Sequence, residues 1–137
     1  MSLTASARRI GNTLRHEVDV NGRHVIITDE PESLGGTNAG PAPHELLPAT
    51  LASCISTMIA LYVARREWDI GEVRVDVTYD HEAVPRRFDV DIRLPDGLTQ
   101  DQIDRLRRVA DTCPVRRALE AGFVFDERIV ITAAAPA

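Results

Sequence analysis

The stretch "HELLPATLASCISTMIALYVARRE", His44 to Glu67, constrains the fold of this chain more than any other. Leu47, Leu51, Cys54, Met58, Leu61 and Ala64 recur at helical spacing, and Ala49, Ala52, Ile55, Ile59 and Val63 widen that stripe nearly all the way round. A helix apolar on most sides needs cover on most sides, so the pattern predicts a long buried central helix. Pro48 lacks an N–H and is best tolerated in a first helical turn. The regular helix is therefore expected to begin near Leu47, with a separate turn at 43–46. No run reaches the ~18 consecutive apolar residues of a membrane span, so no membrane association is expected.

Strands precede this segment. "TLRHEVDV" and "RHVIITDE" flank Asn21-Gly22, the dipeptide best suited to a type I′ hairpin turn. Residues 3–10 predict a further strand. "PESLGGTNAGPAP" is then a long Gly- and Pro-rich loop, of a length that often carries function. After the central helix, "VRVDVTY" and "FDVDIRL" alternate with period two about "HEAVPR" and predict a second hairpin with one solvated face. Thr99 and Gln102 have the spacing of a capping box. They open a helix whose stripe is Ile103, Leu106, Val109 and Ala110. Cys113-Pro114 starts a short helix that Gly122 ends, and "FVFDERIVI" predicts a final strand. The order is hairpin, buried helix, hairpin, two helices, strand. That is an α+β chain and a single domain over 1–137.

Net charge bounds the function classes. It is −5, with sixteen Arg and no Lys, which removes the electrostatic case for nucleic acid. "MSLTASARRIGN" has no apolar core of a signal peptide, so a cytoplasmic protein with reduced thiols is expected. The two cysteines, 54 and 113, do not form a CxxC pair. His16, His24, His44 and His81 are scattered without ligand spacing, so neither a metal site nor a cofactor is expected.

Cys113 directly precedes Pro114, at the N-cap of the last helix, where unsatisfied N–H groups and the dipole favour a thiolate. Arg116 and Arg117 follow within a turn. Cys54 lies mid-helix, where burial without a cation raises a thiol's pKa and leaves it inert. On position alone it is packing, unless a cation arrives from elsewhere. Glu45 sits among apolar neighbours in "PHELL", either as a solvated acid in the first turn or as a paired one.

"DEPESLGG", "GPAPHELLPATLASC" and "CPVRRALE", in that order and spacing, resemble the osmotically inducible protein C (OsmC) and organic hydroperoxide resistance family, in its OsmC-like branch. The similarity runs over about residues 10 to 131. Arg116 stands where relatives often read His, and Pro48 where they usually carry a helix former. The resemblance implies a thiol-dependent peroxidase with the OsmC-like fold, on an intertwined homodimer. It makes Cys54 the peroxidatic cysteine, Cys113 the resolving one and Glu45 the active-site glutamate. It also implies an N-terminal arginine at the site. Arg15 fits best, with Arg9 and Arg23 as fallbacks. The partners it implies are an organic hydroperoxide and a thiol or dithiol reductant.

The chemistry asks for these residue types. A guanidinium favours the thiolate and can hydrogen-bond the peroxide. The sulfenic acid formed condenses with a second thiol, and exchange with a small thiol regenerates the pair. Apolar walls around Cys54 suit an alkyl or lipid hydroperoxide. Nine residues separate Glu45 from Cys54, ~13.5 Å and half a turn out of phase on one helix. The expectation is therefore a homodimer in which Glu45 serves the partner's thiols. The competing reading is a non-catalytic dimeric binding protein with an apolar interface pocket.

Overall fold

The structure, a computed structural model, describes residues 2–133. Strands β1 (Ala5–Arg9), β2 (His16–Val20) and β3 (His24–Thr28) form one antiparallel sheet in that order. A 3₁₀ turn at Pro43–Glu45 leads into helix α1 (Leu46–Arg65). Strands β4 (Arg74–Asp80) and β5 (Arg87–Arg93) make a second antiparallel sheet, and helices α2 (Gln100–Ala110) and α3 (Pro114–Ala121) follow. The α+β class is as the sequence predicts.

The first hairpin shows how one residue sets a face. Asn21 and Gly22 both have positive φ, 55° and 69°, as a type I′ turn requires. Pairing resumes with Val20 opposite His24, so Arg23 is added to the loop. A two-residue loop would set Val18 opposite Val25; here it lies opposite Ile26. A shift of one residue turns every side chain over. Val18, Val20 and Ile26 share one face with Ala5 and Ala7, while Val25 and Ile27 emerge on the other. Val25 is 61% exposed. None of these three strands packs extensively on a helix or on the second sheet.

Asp29 organises the long loop. Its buried carboxylate accepts from Glu30 N–H (2.8 Å), Thr37 N–H (3.1 Å), Thr37 Oγ1 (2.7 Å) and Ala39 N–H (2.9 Å). A Cβ at Gly36 would collide with the Glu30 carbonyl, and one at Gly40 with that of Ile27. The loop thus lies tight against the end of β3 before it delivers the chain to α1.

The core is where α1 meets α2, α3 and the second sheet. Leu51, Ile55 and Ile59 of α1 are buried with Leu106 and Ala110 of α2 and with Cys113. Val75, Val77, Phe88 and Ile92 pack against them from β4 and β5. Thr99 and Gln102 form the expected capping box, at 3.1 and 2.9 Å. Pro48 falls in the first turn of α1, where its missing N–H has no intrahelical partner to lose.

Two expectations need correction. The central helix buries only one stripe within this chain; Leu47 and Leu61 are exposed on its other faces. By length and hydropathy alone Pro43–Arg65 is also apolar enough to cross a membrane, although its buried stripe is spent on α2, α3 and β4. Secondly, "FVFDERIVI" is not a strand. No residue from Phe123 to Ile131 joins a ladder, and Val124, Phe125, Ile129 and Ile131 are largely exposed. A strand needs an edge ~4.8 Å away to satisfy its N–H and C=O groups, and this chain brings none to the segment.

Candidate active site

Cys54 and Cys113 are 59 positions apart in the sequence, and the fold brings both into one core cluster. Cys54 projects from the middle of α1, half-buried, and Cys113 is the fully buried N-cap of α3. Its Sγ accepts the Arg116 N–H at 3.4 Å. Both cysteines are free thiols, and Cys54 packs against the core cluster that contains Cys113. Burial pushes the Cys54 thiol above its ordinary pKa, and the neighbouring Cys113 thiol pushes it further. The Val115 N–H works the other way. No guanidinium is among the groups that act on Cys54.

Glu45 ends the 3₁₀ turn ahead of α1, exposed. Its Oε1 accepts the Ala42 N–H at 3.0 Å, half of a capping box, since Ala42 has no side-chain oxygen to return the bond. Helix α1 runs without interruption from Leu46, so Glu45 stays about a helix half-turn out of phase with Cys54 and more than two turns away. The structure does not bring Glu45 to the thiols of its own chain.

Arg15 lies one residue before β2 rather than on it, and its backbone carbonyl accepts the Ile10 N–H. Its Nε is buried with no hydrogen-bond partner among the described residues. A buried guanidinium nitrogen without an acceptor is costly. Neither fallback shows this: Arg9 Nε donates to the Thr13 carbonyl at 2.8 Å, and Arg23 is exposed in the hairpin loop. Arg116, expected to add positive charge near Cys113, is instead held by Asp111 (2.7 Å) and Glu120 (2.8 Å).

A groove of about 830 Å³ opens beside these elements, between α1, the second sheet, α3 and the segment that follows α3. Leu47, Leu51, Phe88, Phe123 and Phe125 supply apolar walls. Leu51 lies one helical turn before Cys54, and Arg116, also in the wall, lies in the first turn after Cys113. The arrangement sets two free thiols in one core cluster, near a groove with a hydrophobic surface. Reading the sequence alone misses Asp29, whose signal was an acid at the junction of an apolar strand and a Gly-rich loop.

The family model of OsmC-like proteins matches residues 36–128. Among solved structures, a Psychrobacter arcticus protein named for an osmotic-stress and detoxification response is 28% identical. The match covers 85% of this chain and 87% of that one, with a TM-score of 0.66. An OsmC-like protein from Mycoplasma pneumoniae shares the fold at 16% identity, over 88% of each chain, with a TM-score of 0.69. An organic hydroperoxide resistance protein from Legionella pneumophila shares it at 21% identity, over 87% of this chain and 89% of that one, at 0.56. No curated protein sequence matches the chain.

Proposed function

The chain belongs to the OsmC-like protein family, and from that premise we propose that it is a cytoplasmic, thiol-dependent peroxidase acting on organic hydroperoxides. The observation that carries the reading is the packing of the free Cys54 against the core cluster that holds the free Cys113, a proximity that a sulfenic acid needs in order to be resolved within one chain.

The Cys54 thiolate attacks one oxygen of ROOH. The O–O bond breaks, RO⁻ leaves and is protonated to ROH, and the sulfur becomes a sulfenic acid. The Cys113 thiol then attacks that sulfur, water leaves and a disulfide forms. Two thiols, or one dithiol, return both cysteines to the reduced state and are themselves oxidised to a disulfide.

Cys54 needs a cation to populate its thiolate, and within the single chain burial and the Cys113 thiol push its pKa up with no guanidinium among the groups that act on it. Arg15 is the candidate because its buried Nε lacks an acceptor. A homodimer in which the N-terminal sheet of one chain reaches the thiols of the other would satisfy both groups, with Glu45 also acting across the two-fold. The sheet's sparse packing on its own chain supports this reading.

The test is turnover of cumene hydroperoxide with a dithiol reductant. Activity should vanish in Cys54→Ser. In Cys113→Ser the first turnover should persist, with sulfenic acid trapped on Cys54. Undiminished turnover in Cys54→Ser overturns the proposal. A second reading, a catalytically quiet binding protein with an apolar interface pocket, is favoured by the raised pKa of Cys54. It predicts no peroxide consumption by the wild-type protein in either a single turnover or the steady state.

A further inference from the structure

Away from the thiols, the far end of α1 meets the C-terminal half of α2 at a shallow pocket of about 310 Å³. Its lining is Tyr62 and Arg66 from α1 and its cap, and Arg105, Arg108, Val109 and Thr112 from α2 and the turn after it. Three guanidiniums around so small a space are unexpected in a chain of net charge −5. Only Arg105 has an acid, Asp101 at 2.9 Å; among the described residues Arg66 and Arg108 have no ion pair. Helix dipoles draw cations to helix ends, for about 0.3–1 kcal/mol each. They do not require cations from two helices to face one pocket, where like charges repel.

Two of the three guanidiniums, those of Arg66 and Arg105, are also held in place. Arg66 lies over the Tyr62 ring, 4.8 Å from its centroid, a cation–π contact that restrains an exposed side chain. The Tyr62 hydroxyl beside Arg105 and the Asp101 carboxylate both favour its charged form. Guanidinium forks match phosphate oxygens in paired hydrogen bonds, stronger than neutral ones. The Tyr62 hydroxyl stands in the same wall, while the Thr112 hydroxyl donates its proton to the Val109 carbonyl at 2.6 Å.

We propose that the pocket formed by Tyr62, Arg66, Arg105, Arg108 and Thr112 binds a phosphate-bearing small molecule. This site is independent of the peroxidase reading: it holds no thiol and stands or falls on binding alone.

The molecule carries its own reporter. Trp68, the single tryptophan, packs edge-on against Tyr62 at 5.5 Å. Inorganic pyrophosphate is the probe, titrated at constant ionic strength against sodium chloride. A saturable change in Trp68 fluorescence is expected with pyrophosphate and not with chloride. Equilibrium dialysis of labelled pyrophosphate should give one site per chain whether or not the fluorescence responds. Replacing both unpaired guanidiniums, Arg66→Gln with Arg108→Gln, should weaken binding by about tenfold or more. Arg107→Gln with Arg128→Gln makes the same change in net charge outside the pocket and should weaken binding less than twofold. Circular dichroism melts check that both variants fold. No site by dialysis overturns the proposal, as does equal loss in the two double variants, which would mean a diffuse charge effect.

Discussion

Asp29 ties the long loop down through four hydrogen bonds to one carboxylate. The Ala39 N–H is the largest cause holding its pKa down to about 2, below the ordinary 3.8. A carboxylate with a depressed folded pKa contributes stability that is fully present above its unfolded pKa. That contribution should therefore be complete above about pH 5 and fade as pH falls through 3.8 towards 2. Asp29→Asn should be less stable than wild type at pH 7, with the two melting temperatures converging in that acid window. Amide exchange at Thr37 and Ala39 should also quicken in the variant. A melting difference as large at pH 2 as at pH 7 would show that Asp29 acts by shape rather than charge. Nothing in the sequence marks this acid among twenty others, because only the folded loop supplies its partners. Cys54, Cys113 and Glu45 are legible in the sequence, because thiols are rare and a charge in an apolar run demands an account, whereas Arg15 enters only through the family resemblance. The raised pKa of Cys54 and the orphaned Nε of Arg15 are not legible, since both depend on which neighbours the fold supplies.

Among elements, the helices were legible and the strands only in part. Helix caps are written locally, as at Thr99 with Gln102 and at Cys113 with Pro114, so their ends fell where local chemistry put them. A strand is half a structure, and its other half lies elsewhere. The apolar, mostly β-branched and aromatic residues of "FVFDERIVI" favour a strand but cannot say whether an edge is within reach. Register depends likewise on one residue, Arg23, in a turn whose dipeptide alone suggested a tighter loop. This separates two kinds of apolar residue that look alike in sequence. Leu106 is buried against α1 in a core complete within one chain, so Leu106→Ala should lower folding stability by about 2–5 kcal/mol. Ile129 is 89% exposed, so Ile129→Ser should leave the core intact. It should instead weaken self-association, if the segment finds its edge on a second copy. Denaturant melts read the first effect and sedimentation at graded concentrations the second. A loss of folding stability in Ile129→Ser as large as that in Leu106→Ala would place the segment in the chain's own core.

For the whole molecule, three unfinished features bear on the homodimer proposed above. Helix α1 is apolar beyond the stripe its own chain buries, the N-terminal sheet packs sparsely on the rest, and Arg15, whose buried Nε has no acceptor among the described residues, sits in that sheet's lead-in. A second copy related by a two-fold axis can cover the helix and receive the sheet. It can also bring Arg15 and Glu45 to the thiols, because each contact across such an axis occurs twice. The uninterrupted course of α1 from Leu46 makes the in-trans placement of Glu45 the simpler one, since its own Cys54 is ~13.5 Å along the helix and on the other side. Subunit mixing tests it. Cys54→Ser and Glu45→Ala proteins should each be inactive as homodimers. After exchange, a heterodimer carries one site with both defects and one with neither. Random pairing makes half the dimers mixed, so activity should return to about a quarter of the wild-type value per chain. If Glu45 serves its own chain, every site in the mixture keeps one defect, and activity stays at zero however complete the exchange. Native mass spectrometry of differently tagged chains establishes that exchange occurred, which makes a null result as decisive as a positive one.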